Sequence, residues 1–85
     1  MKNKLRVYTF DEKHRGVKPR GGLSESYIVT FMAKLPNGYW EQRTEQYFTE
    51  SKFAHNHVQK RWENIHCDEI KNGTIKKEPI RLIYQ

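Results

Sequence analysis

A single cysteine, Cys67, excludes an intramolecular disulfide, so the core alone must hold the fold. Long apolar runs are also missing: nothing approaches the roughly 20 consecutive apolar residues of a membrane-spanning helix, and no charged leader with an apolar stretch behind it is present. The expectation is an intracellular, cytoplasmic chain with no membrane partner. No Gly-rich loop opens a helix ahead of a Walker-type lysine, and there are no internal repeats or low-complexity tracts. Acidic side chains are in the minority. Ten Asp and Glu face sixteen Lys and Arg, a net charge of +6, which bears on partners and says nothing about fold.

Eighty-five residues make one domain, 1–85, close to the lower size at which a core suffices without staples. At about 0.05 to 0.15 kcal/mol per residue, its stability should be roughly 4 to 13 kcal/mol. The charge is uneven. Residues 1–20 carry seven Lys and Arg against Asp11 and Glu12, residues 21–50 are net negative, and residues 51–85 carry seven basic against four acidic side chains. A polyanion should therefore meet the ends of the chain.

Asn37-Gly38 sits between two runs rich in Tyr, Ile, Val, Phe, Thr and Trp, and reads as a two-residue type I′ hairpin turn. That turn would set Leu35 opposite Trp40, Phe31 opposite Thr44, Val29 opposite Gln46 and Tyr27 opposite Phe48 on a core face. The other face would pair Lys34 with Glu41, Met32 with Arg43, Thr30 with Glu45 and Ile28 with Tyr47. Ahead of the hairpin, Lys4 to Phe10 alternates as a strand. Residues 11–24 hold Gly16, Pro19, Gly21 and Gly22 among basic residues and read as a flexible basic loop or arm.

After the hairpin, Thr49 offers an N-cap for a helix over 50–66, with Phe53, Ala54, Val58, Trp62 and Ile65 as its apolar stripe. A second Asn-Gly, Asn72-Gly73, admits a short extra hairpin over 68–77, and Ile80 to Tyr84 alternates as a last strand. The fold class is α+β: a small antiparallel sheet in β-β-β-α-β order with one helix across one face. The first and last strands are placed at the edges, beside the central hairpin.

Chemistry is thinly represented. His55 and His57 are two apart, so on a helix they diverge, and His66 and Cys67 are sequence neighbours that diverge as well, so no metal or other cofactor is expected. As a nucleophile Cys67 would need a nearby base and an electropositive pocket, and Asp68 and Glu69 beside it work against a reactive thiolate. Glu41 and Glu45 flank Arg43 as a charge ladder. No catalytic residue is expected, and the chain does not read as an enzyme.

What remains is basicity with aromatics. The leading expectation is a small nucleic-acid-associated protein that contacts the phosphates of DNA or RNA through Lys13, Arg15, Lys18 and Arg20 of the arm. Lys60, Arg61, Lys76, Lys77 and Arg81 would assist. The rival is a protein-binding regulator of the phage-encoded inhibitor kind. It would block a larger host complex through a hairpin face bearing Ile28, Met32, Tyr39, Arg43 and Tyr47. Either suits a monomer or homodimer. Three strands followed by a helix, with Tyr47-Phe48-Thr49 leading into an Ala-bearing helix, is similar to small sheet-plus-helix DNA-binding domains such as the integrase arm-binding domains. That resemblance implies major-groove reading by an exposed basic sheet face. With Glu41 and Glu45 expected on the open hairpin face, this mode is not anticipated here.

Overall fold

The computed structural model describes residues 7–10 and 25–85. Its strands are β1 (Val7–Thr9), β2 (Glu25–Lys34), β3 (Trp40–Thr49) and β4 (Arg81–Tyr84), and its helices are α1 (His55–Ile65) and α2 (Cys67–Asn72). The sheet is antiparallel in the order β1-β3-β2-β4, so the central hairpin and the two edge strands lie where the sequence placed them. The arm residues Lys13, Arg15, Lys18 and Arg20, with the rest of 11–24, lie outside the described residues, as does the start of the expected Lys4 to Phe10 strand.

The hairpin register differs from expectation by one residue. Leu35 C=O accepts from Gly38 N–H (2.9 Å), while Leu35 N–H donates to Tyr39 C=O (2.7 Å). Among the described residues only Gly38 and Gly73 have positive φ, so Asn37 is not in the conformation a type I′ turn demands. The physical reason is Pro36. Its fixed φ suits the second position of a type I turn, and Gly38 at φ +93° then closes a three-residue loop with a bulge. Lys34 consequently faces Trp40, Phe31 faces Arg43, Val29 faces Glu45 and Tyr27 faces Tyr47.

Because side chains alternate, this single step turns β3 over. Tyr47, expected outside, is fully buried, whereas Trp40, expected inside, is 37% exposed. The core joins Tyr27, Val29, Phe31 and Ala33 of β2 and Tyr47 of β3 to Ala54, Val58, Trp62 and Ile75.

The helix over 50–66 is shorter than expected and starts at His55, with Ala54 as N-cap. Thr49 does not cap it, being buried in the sheet opposite Val7 and Glu25. The Tyr27 hydroxyl does the anchoring: it accepts from Ala54 N–H (3.0 Å) and donates to Lys52 C=O. Holding residues 52–54 against the sheet delays the first helical turn. Of the expected stripe, Ala54, Val58 and Trp62 are buried, while Phe53 (81%) and Ile65 (41%) are exposed.

The extra hairpin over 68–77 does not form. Residues Cys67–Asn72 are helical, and Gly73 at φ +83° closes that helix, with Gly73 N–H donating to Ile70 C=O and Thr74 N–H to Glu69 C=O. A left-handed glycine serves a helix end as well as a hairpin turn. The chain then runs along β2: Lys34 N–H donates to Thr74 C=O, Lys76 N–H to Met32 C=O and Ile80 N–H to Thr30 C=O.

Candidate functional site

The one-residue step decides which side chains the sheet presents. Helix α1 covers the face of Tyr27, Val29, Phe31 and Tyr47, so alternation puts Ile28, Thr30, Met32 and Lys34 of β2 on the opposite face. Beside them stand Trp40, Gln42, Thr44 and Gln46 of β3 and Arg81 and Ile83 of β4. Toward the β1 end this face is covered, with Phe10 packed on Phe48 at 6.4 Å between ring centroids and Phe48 and Thr30 buried, while at the turn end Trp40, Gln42 and Thr44 are exposed. The strand positions on this face carry Lys and Arg, amide and hydroxyl groups and apolar side chains, and no carboxylate. Glu41, Arg43 and Glu45, which the sequence set on the open face, belong to the helix side.

At one end of the face two ammonium groups approach the Trp40 ring. Lys34 Nζ is 5.8 Å and Lys76 Nζ 4.8 Å from the Trp40 ring centroid. Lys34 reaches the ring as its cross-strand neighbour. Lys76 arrives because its N–H is bonded to Met32 C=O on the other side of β2. A flat base stacking on this indole would displace the ammonium groups from the ring and leave them to meet phosphates. Arg81 faces Thr30 across the β2–β4 pair, so it lies about four residues, roughly 13 Å, along the sheet from Lys34.

The helix side carries a polar cluster of its own. His66 Nε2 lies 2.9 and 3.0 Å from the two Glu45 carboxylate oxygens, and the Tyr47 hydroxyl donates to Glu45 Oε1 (2.9 Å). The His66 ring also packs on Phe31 and Trp62 at 5.3 and 5.7 Å between centroids. This cluster fastens the segment between the two helices to β3. A groove of about 630 Å³ crosses the edge of β3 beyond β1, lined by Ile28, Thr44 and Gln46 from the open face and by Glu45, Tyr47 and Ile65 from the helix side.

The sequence-predicted residues do not form one surface. Lys76 and Arg81 belong to the open face, whereas Lys60 and Arg61 sit on α1, in the layer behind the sheet; Lys77 is exposed in the connection to β4. Of the alternative protein interface, Ile28 and Met32 share the open face, Arg43 is on the helix side beside Glu41, Tyr39 ends the turn, and Tyr47 is core. Trp40 and Lys34 were missed as site residues. The signal that finds them is Pro36, which selects the longer turn and so the face of β3.

The described residues hold nine Lys and Arg and eight Asp and Glu, a net +1, so the remaining +5 belongs to residues 1–6 and 11–24. No group of three His, Cys, Asp or Glu side chains able to hold a metal occurs among the described residues. His55 Nε2 is instead 3.0 Å from Leu82 C=O. No described helix is long and apolar enough to cross a membrane. Comparison with protein-family models, curated proteins and solved structures finds no match.

Proposed function

We propose that the protein is a nucleic-acid-associated protein without catalytic activity, and that the open face of its sheet is the contact surface. The observation that carries this reading is the Lys34–Trp40–Lys76 cluster on a sheet face free of carboxylates at its strand positions. Trp40 stacks on a base, Lys34, Lys76 and Arg81 meet phosphates, and Gln42 and Thr44 offer hydrogen bonds to base or backbone. The basic sequence of residues 11–24, with Lys13, Arg15, Lys18 and Arg20, adds long-range attraction for the same polyanion. Of the +5 outside the described residues, +3 lies in residues 1–6 and +2 in residues 11–24, which supports a division of labour in which the open face supplies contact geometry and these two segments supply charge.

Fluorescence anisotropy with short labelled duplex DNA, single-stranded DNA and RNA, at about 50 and 200 mM salt, tests the proposal. Binding should weaken steeply with salt. Replacing Lys34, Lys76 and Arg81 together by Ala should reduce the slope of log K against log salt by about 2 to 3, since each phosphate contact contributes about 0.7 to 0.9. Neutralising Arg15, Lys18 and Arg20 should flatten the slope independently. No binding at low salt, or an unchanged slope in the Lys34, Lys76 and Arg81 variant, refutes the open face as the contact surface.

A further inference from the structure

We infer that the free edge of β3 pairs with the same edge of a second copy, giving a two-fold dimer with a continuous eight-stranded sheet. The even-numbered residues of β2 bond outward, toward 74–85: Lys34 and Gln85 N–H donate to Thr74 and Ser26 C=O, and Lys76 and Ile80 N–H donate to Met32 and Thr30 C=O. Its odd-numbered residues therefore bond to β3. By the antiparallel register the even-numbered residues of β3 direct their N–H and C=O groups away from β2. Strand β1 takes up that edge only at Tyr47–Thr49, so among the described residues nothing pairs with Trp40, Gln42 and Thr44 on that side. All three are exposed. An edge of this length is a template for another strand.

The side chains choose the partner and the register. A copy of β3 laid antiparallel with Gln42 on the dyad sets Glu41 opposite Arg43 of the other copy, twice, and joins Trp40 to Thr44 through outward backbone groups. Shifting the dyad to residue 43 sets Arg43 against Arg43 and Glu41 against Glu45, and shifting it to residue 41 sets Glu41 against Glu41. Both place like charges opposite one another. A dyad at Thr44 would bring the other copy's Trp40 opposite Phe48, where Tyr8 of β1 already sits. Only the dyad at Gln42 satisfies charge and space over five residues. It also directs Tyr39 of each copy, 71% exposed, toward Glu45 and the groove that Ile65 and Tyr47 line. The open faces of the two copies then join into one surface, with the two Trp40 platforms either side of the dyad.

The geometry gives a site-specific test that needs no nucleic acid, so its failure is separate from failure of the contact-surface proposal. Directly opposed residues in a hydrogen-bonded antiparallel pair have Cα atoms about 5.5 Å apart, within the range a disulfide spans. The residue on the dyad meets itself. With exposed Cys67 replaced, the double variant Q42C/C67S should oxidise to a covalent dimer of twice the 10.3 kDa chain mass. T44C/C67S should stay monomeric under the same conditions, because its two thiols would be about 13 Å apart along the strands. In sedimentation, E41R or R43E should halve the mass of the associated species to that of a monomer, and E41R/R43E should restore the dimer. Equal cross-linking at positions 42 and 44, absence of cross-linking at 42, or no restoration by the double reversal would overturn the proposal. Circular dichroism of each variant separates loss of pairing from loss of fold.

Discussion

Trp62 is fully buried, meets Phe31 edge-on at 5.3 Å between centroids, and among the described residues has no hydrogen-bond partner for its indole N–H. Two substitutions there should therefore behave very differently. Trp62→Ala deletes a whole buried aromatic and should cost about 3 to 5 kcal/mol, most or all of the stability of a chain expected to have roughly 4 to 13 kcal/mol. Trp62→Phe removes two ring carbons, worth about 1.6 kcal/mol at about 0.8 each, with roughly another 1 kcal/mol for the space left behind. The same change deletes a buried donor whose desolvation costs about 1 to 3 kcal/mol. The terms nearly cancel, so Trp62→Phe should shift stability by less than about 1.5 kcal/mol. Urea denaturation of the three proteins gives the comparison, with an unchanged m value confirming a common unfolding transition. If Trp62→Phe costs as much as Trp62→Ala, the indole N–H is satisfied in the folded protein and the reasoning fails.

Other outcomes follow from single contacts. Tyr27→Phe should lower the denaturation midpoint by the equivalent of about 1 to 3 kcal/mol, because Ala54 N–H loses its acceptor in a buried setting; an unchanged midpoint would show that the hydroxyl does not anchor α1. Gly38→Ala should cost about 1 to 2 kcal/mol from backbone strain alone, since φ is +93° and nothing lies within 4 Å of the added Cβ. A larger loss would indicate a change of turn. Tyr84 donates to the Glu25 carboxylate, and that hydrogen bond raises its ionisation above the ordinary value near 10. A raised phenol favours folding below the unfolded pKa and loses that contribution as pH climbs through the folded one. Glu25→Gln should bring the Tyr84 phenolate absorbance in at lower pH, and an unmoved titration would rule out the contact.

The sheet, the edge positions of its first and last strands and the helix across it were legible because alternation and the i, i+4 spacing of Ala54, Val58 and Trp62 are local patterns. Turn chemistry was harder to read. Asn-Gly accommodates a left-handed glycine in a two-residue hairpin, in a three-residue bulged loop and at a helix end, and this chain uses the second at Gly38 and the third at Gly73. Pro36 was the local clue to the bulged loop at Gly38. The i, i+3 hydrophobic spacing of α2 was too short to outweigh a turn motif. The start of α1 is fixed by Tyr27, distant in sequence, which no local pattern could disclose. For the site, the consequence was an exchange of faces: Glu41 and Glu45 moved to the helix side, and Trp40 came out beside Lys34 and Lys76.

The most direct measurement of the open face as a nucleic-acid surface is the emission of Trp40 in Trp62→Phe protein, where it is the sole tryptophan. Titration with a single-stranded oligonucleotide at low salt should quench that emission as a base stacks on the ring, and added salt should restore it. Binding seen by anisotropy with unchanged Trp40 emission would contradict the open-face site, and no binding at low salt would contradict nucleic-acid association itself.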